Sequence, residues 1–167
     1  MKAKDLFSVF TIVTALLFVI ANGVSADTNV SGFISADTTW SKANSPYVAT
    51  GSIIINSGIT LTIEPGVTVK LNSSKAIQVD GTLIAKGTNA NKITFTRDSS
   101  ASSNWGHILF SDSSTDASYD DSGNYTSGSI LEYCVVEYAG GTSVSYGAVR
   151  TDNAHPFINY CTIQNNT

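Results

Sequence analysis

The chain has 167 residues, enough for one domain, with 9 Lys and Arg against 13 Asp and Glu and a formal net charge of −4. So few cationic side chains exclude a nucleic-acid binder, which needs a clustered basic footprint. At 42% hydrophobic and 13% charged the composition also excludes a disordered chain, and its wealth of Gly, Ser, Thr and Asn favours short strands joined by turns.

The first element is a leader. Lys2 and Lys4 make a basic start, Leu6 to Ala21 is an uncharged apolar run, and Val24-Ser25-Ala26 supplies the small-x-small pattern that signal peptidase reads. The run is shorter than the roughly 20 residues a bilayer span requires, and no basic stop-transfer cluster follows it. Residues 1–26 are therefore expected to be a cleaved signal peptide. The remainder is expected to be secreted or held at the cell surface, with no membrane span.

Next comes a segment without regular rhythm, Asp27 to Pro46. It carries Phe33, Ile34 and Trp40, with Tyr47 just beyond, the bulky groups needed to cover one end of a stack of strands. It is expected to be an N-terminal cap (27–46). Short β-type runs then follow closely: Gly51 to Ile55, Ile59 to Ile63, Val67 to Leu71, Ala76 to Val79, Thr82 to Ala85 and Ile93 to Thr96. Several alternate apolar with polar, the mark of one buried face. Asn56-Ser-Gly58, Pro65-Gly66, Asp80-Gly81 and Lys86-Gly-Thr-Asn89 lie between them and are turn chemistry.

Farther along, the chain repeats itself. Ile130-Leu-Glu-Tyr-Cys-Val-Val-Glu137 aligns with Phe157-Ile-Asn-Tyr-Cys-Thr-Ile-Gln164 at an offset of 27, placing Leu131 on Ile158, Tyr133 on Tyr160, Cys134 on Cys161 and Val136 on Ile163. Trp105-Gly-His-Ile108 echoes Tyr146-Gly-Ala-Val149 at an offset of 41, which a loop insertion within residues 111–128 explains. A sandwich or antiparallel barrel would need longer strands meeting at hairpins. A period of about 22–27 residues instead fits coils of three short strands stacked at about 4.8 Å. The expected fold is all-β, a right-handed parallel β-helix over residues 47–167. The chain stops at Thr167 just after a strand, so its C-terminal end is expected to be uncapped and covered by further coils of its own chain or by another copy.

The runs Ile34-Ser-Ala-Asp-Thr-Thr-Trp40, Gly58-Ile-Thr-Leu-Thr-Ile-Glu-Pro-Gly-Val67 and Val79-Asp-Gly-Thr-Leu-Ile-Ala-Lys-Gly-Thr88, with Trp105-Gly-His-Ile108 and Ile130 to Ala139, closely resemble the opening of exported bacterial and archaeal right-handed parallel β-helix repeat proteins. The resemblance implies a large surface or secreted protein that shares its architecture with adhesins and polysaccharide lyases. It is specific for fold and does not fix activity.

Tyr133 and Tyr160, with Glu132 and Asn159 beside them, are expected to form a regular strip along the axis that packs turns or meets sugar rings. Cys134 and Cys161 fall on adjacent coils and point inward. Their Cα spacing of about 4.8 Å permits a disulfide, but parallel Cβ atoms at the same spacing lie beyond the ~3.8 Å a bridge prefers. A ladder of free thiols is favoured. Asp112, Asp116, Asp120 and Asp121 crowd one loop, and oxygen-rich loops can bind Ca²⁺, yet the spacing fits no calcium motif and a solvated loop without cofactor is favoured.

Arg150, Asp152 and His155 surround one turn, and His107 is expected to face solvent alone. No paired carboxylates or activated nucleophile accompany them, so the reading leans away from an enzyme. The function expected is a scaffold or interaction module for adhesion or glycan binding. The alternative is the N-terminal part of a polysaccharide lyase or glycoside hydrolase with catalytic coils beyond residue 167.

Overall fold

Strands form wherever β-branched residues alternate with polar ones, because each pleat then buries one face and wets the other. In the computed structural model, which describes residues 26–141 and 147–167, most of the leader and Tyr146 lie outside the described residues. The early strands are β1 (Thr28–Ile34), β2 (Thr38–Trp40), β3 (Tyr47–Ile55), β4 (Thr60–Ile63), β5 (Thr68–Leu71), β6 (Ile77–Val79), β7 (Thr82–Lys86) and β8 (Ile93–Arg97). They match the runs read from the sequence to within a few residues. The later strands are β9 (Ile108–Phe110), β10 (Ser118–Tyr119), β11 (Tyr125–Ser127), β12 (Ile130–Glu132), β13 (Cys134–Glu137), β14 (Val149–Thr151), β15 (Phe157–Asn159) and β16 (Thr162–Gln164).

Among the described residues every pairing except the antiparallel pair β10–β11 is parallel, and the stack has three faces. The first is the five-stranded sheet β2-β4-β7-β12-β15. The other two are the arms of a nine-stranded sheet that meet at β3, whose Tyr47–Ala49 half pairs with β5 and whose Ile53–Ile55 half pairs with β6. This is a parallel β-helix. Leu61 stacks on Leu83, 22 residues on, Val69 on Phe95 after 26, and Leu131 on Ile158 after 27. Ile108 stacks on Val149 after 41, the lengthening that the inserted loop between them accounts for.

The core consists of inward ladders running across the coils. Ile63, Ala85, Leu131 and Ile158 form one, and Val69, Phe95, Val136 and Ile163 another. Most members are 0–1% exposed, whereas Ile158 and Ile163 on the last described coil are 42% and 51% exposed. One-residue slips would turn these ladders to solvent, so alternation fixes register as well as strand identity.

The segment expected to cap the stack is itself built as a coil. β1 pairs along both halves of β3, and β2 pairs with β4. Trp40 and Tyr47 are buried and stack at 4.9 Å as a lid requires, while Phe33 faces outward at 72% exposure. Alternation explains the difference: Phe33 falls on the same outward face of β1 as Asn29 and Ser31 and pairs with Ile54, which lies between the buried Ile53 and Ile55.

Candidate functional site

The outer face of the five-stranded sheet carries two ladders side by side. The first is apolar, Ile84–Ile130–Phe157, and the second is polar, Lys86–Glu132–Asn159. Ile130 points outward yet is 0% exposed. A hairpin rising from the inserted loop covers it.

That hairpin is β10–β11, and its turn is organised by one carboxylate. Asp120 accepts backbone hydrogen bonds from Ser122 (2.9 Å) and Asn124 (2.8 Å) and another from the Asn124 side chain, and these donors, the Asn124 amide foremost, lower its pKa. Beyond the turn, Tyr125 stacks on Phe157 at 5.6 Å and 19°, and Tyr119 meets the same ring edge-on at 5.9 Å. The Tyr125 hydroxyl donates to the Gly128 carbonyl at 2.6 Å. Burial first, and then the Glu132 carboxylate, raise its pKa, so the phenol stays protonated in neutral solution.

The base of the loop is fastened to the coils. Thr115 N–H donates to Gly81 O (2.8 Å), Ser129 N–H to Thr115 O (3.0 Å) and Ala117 N–H to His155 O (2.9 Å). Asp116 accepts from His155 N–H at 2.7 Å and sits 3.2 Å from its Nδ1, which lowers the Asp116 pKa.

Between hairpin and polar ladder lies an open groove of about 260 Å³, lined by Lys86, Asn124, Tyr125, Glu132, Phe157 and Asn159 with Ile130 and Gly123. Lys86 Nζ is 3.7 Å from a Glu132 oxygen and 5.8 Å from the centre of the Tyr125 ring. Asn159 Nδ2 donates to the other Glu132 oxygen at 3.3 Å.

Glu132 and Asn159, singled out in the sequence, thus share this groove. Tyr133 and Tyr160 sit beside it, at the corner where each coil leaves the sheet. Both hold positive φ, 48° and 50°, uncommon for a bulky residue and a strain of about 1–2 kcal/mol each. Their rings stack at 4.7 Å and 13°. The facing surfaces of the pair are therefore occupied by each other, while Tyr160, on the last described coil, stays 64% exposed. Lys86, Asn124, Tyr125 and Phe157 escaped the sequence reading. The only local signal was Tyr119 and Tyr125 flanking the Asp120–Asn124 turn.

Cys134 and Cys161 are free thiols at matching positions of β13 and the coil above it. Each thiol donates to a backbone carbonyl at 3.3 Å, Cys134 to Ala85 and Cys161 to Leu131. The neighbouring Cys161 thiol, with burial adding to it, raises the Cys134 pKa, and the neighbouring Cys134 lowers that of Cys161. The loop carboxylates are dispersed: Asp112 accepts from Asn153, Asp116 faces His155, and Asp120 holds its own turn. Among the described residues no group of three or more His, Cys, Asp and Glu side chains is placed to hold a metal ion.

His155 is engaged by Asp116 of the inserted loop. His107 departs from its expected isolation in solvent. Burial chiefly, and the charge of Arg150 on the neighbouring coil, lower its pKa, and its Nδ1 is buried without a hydrogen-bond partner. The physical reason is stacking: β14 runs directly beside β9, placing Arg150 next to Leu109.

A family model described as a pectate-lyase like beta helix domain matches residues 32–150. The chain is also similar to the Drosophila melanogaster protein named Protein bark beetle, at 39% identity over 62 residues, which is 37% of this chain and 2% of that protein. This chain thus corresponds to a small fraction of that relative. No solved structure matches it.

Proposed function

We propose that this chain, which belongs to the pectate-lyase-like β-helix family, is an exported or cell-surface scaffold that binds glycans on the outer face of its five-stranded sheet. The observation that carries the reading is the polar ladder Lys86–Glu132–Asn159 lining an open groove walled by an aromatic hairpin. Sugars ask for this combination: apolar surface for their C–H faces and fixed donors and acceptors for their hydroxyls. The stacked Tyr133–Tyr160 pair borders the groove and extends the amphipathic surface along the axis.

Association must first offset several kcal/mol of lost freedom, and the contact area is small. Affinity for this chain alone is therefore millimolar, rising where repeated coils add valency. A glycan array probed with the exported chain tests the reading. Binding to at least one polysaccharide class supports it, and a blank array at high protein density removes it. Turnover of pectin or alginate would overturn the scaffold assignment in favour of an enzyme.

A further inference from the structure

The geometry of the groove points to a more specific ligand, and this inference rests on the glycan-binding reading above. We propose that the groove between hairpin and polar ladder is a subsite for one neutral, hydroxyl-rich pyranose ring, and that it discriminates against uronates.

Size sets the first limit. At about 260 Å³ the groove falls below the roughly 300–1,000 Å³ of sites that enclose drug-sized ligands, so it accepts a single ring of a longer chain. Shape sets the second. Phe157 and the Tyr125 ring give an apolar side, while Lys86, Glu132, Asn159 and Asn124 give a polar one. A pyranose has the same two-sidedness.

Charge decides the class. Lys86 and Glu132 lie 3.7 Å apart, so the groove holds one cation and one anion and has no net charge from its lining. A uronate carboxylate reaching Lys86 would come within a few ångströms of Glu132, and like charges at that range disfavour both ionised forms. The Glu132 side chain is only 15% exposed against 56% for Lys86, so water screens that repulsion poorly on the carboxylate side. An amino sugar meets the mirror problem at Lys86. A hydroxyl has neither difficulty, because it donates to Glu132 and accepts from Lys86 or Asn159.

Glu132 also has capacity to spare. Its two partners stand at 3.3 Å and 3.7 Å, longer than the 2.7–3.2 Å of well-made N–H···O bonds, and a sugar O–H can approach to about 2.5–3.0 Å. The free protein therefore holds an acceptor that is positioned and incompletely used. Its rigidity comes from the strand ladder below and the pinned hairpin above, which limits the ordering that binding requires.

The test is a titration of the exported full chain with cellohexaose, as neutral probe, and with hexagalacturonate, followed by amide chemical-shift perturbation. The expected result is binding of cellohexaose with shifts centred on Lys86, Asn124, Glu132 and Asn159, at least tenfold tighter than hexagalacturonate. Tyr125→Ala and Glu132→Gln should each weaken cellohexaose at least fivefold, and Glu132→Gln should bring hexagalacturonate affinity up. Unchanged thermal melting of Glu132→Gln, a near-isosteric replacement, separates loss of binding from loss of fold. Tighter binding of hexagalacturonate than of cellohexaose would overturn the proposal. So would cellohexaose binding that ignores both substitutions, an outcome that leaves the glycan-binding reading standing with another site. Absence of binding to either hexasaccharide also rejects the subsite, and the array then decides separately whether the chain binds any glycan.

Discussion

Gly128 closes the inserted loop, and replacing it with alanine should release the hairpin from the coils. Its φ is +91°, so an L-residue there is strained by about 1–2 kcal/mol before any contact is considered. The added Cβ would stand 1.9 Å from the Asp116 carbonyl oxygen, 2.6 Å from its carbon and 2.8 Å from the Ala117 Cα. All three are backbone atoms, and reaching the 3.4 Å of ordinary contact means a retreat of 1.5 Å. That movement strains Ser129 N–H to Thr115 O and Ala117 N–H to His155 O, each worth about 0.5–1.5 kcal/mol net. Together the terms give about 2–5 kcal/mol, a large share of the ~5–15 kcal/mol that holds a domain folded. Urea unfolding followed by tryptophan fluorescence should show a lower midpoint. If the loss is confined to the hairpin, limited proteolysis should instead cut near residues 118–127 while the midpoint stays put. A variant that keeps both the midpoint and the protease resistance of the parent would refute the reasoning.

Other consequences are open to direct measurement. Phe95 is 0% exposed and stacked between Val69 and Val136, so Phe95→Ala should destabilise the chain by about 3–5 kcal/mol in denaturant titration; a loss under 1 kcal/mol would show that the stack collapses around the gap. Iodoacetamide near neutral pH should label Cys161 well before Cys134, which should react only on unfolding; peptide mass mapping showing equal rates would contradict the pairing. Because the folded pKa of His107 lies below its ordinary 6.5, the unfolded chain binds the proton first. Its contribution is therefore full above pH 6.5 and is lost as pH falls toward the folded pKa, and His107→Gln should flatten melting temperature across that window. Mass spectrometry of the secreted product should begin at Asp27; retention of Met1 in a membrane fraction would reject the leader.

Local pattern and long-range geometry divide what was legible in the sequence. Strands were legible because each coil carries its own alternation, as in Leu61-Thr-Ile63 and Val69-Lys-Leu71. The register of Leu131 on Ile158 was legible because the 27-residue echo is the stacking itself. The groove was not. Lys86, Tyr125, Glu132 and Phe157 come from separate coils and a hairpin, and no periodicity relates them. β10 spans only Ser118–Tyr119, too short to show alternation, so the loop read as solvated polar chain. The Tyr133–Tyr160 contact followed from the echo, whereas the direction of the rings depended on positive φ at both corners, which tyrosine does not announce. His107 was misjudged for a similar reason, since Arg150 reaches its neighbourhood only across the lengthened coil.

Parallel stacking asks nothing of a corner except that the chain return one rung higher. Ile130 pairs with Ile84 across 46 residues as faithfully as Leu83 pairs with Leu61 across 22. The coils thus behave as a rack, and residues 111–128 as a cartridge clipped onto it. Exchange of that cartridge for one of another length and chemistry would rewrite the wall of the groove while the rungs beneath kept their places. The outer surface of such a chain can diversify one corner at a time, without renegotiating the fold.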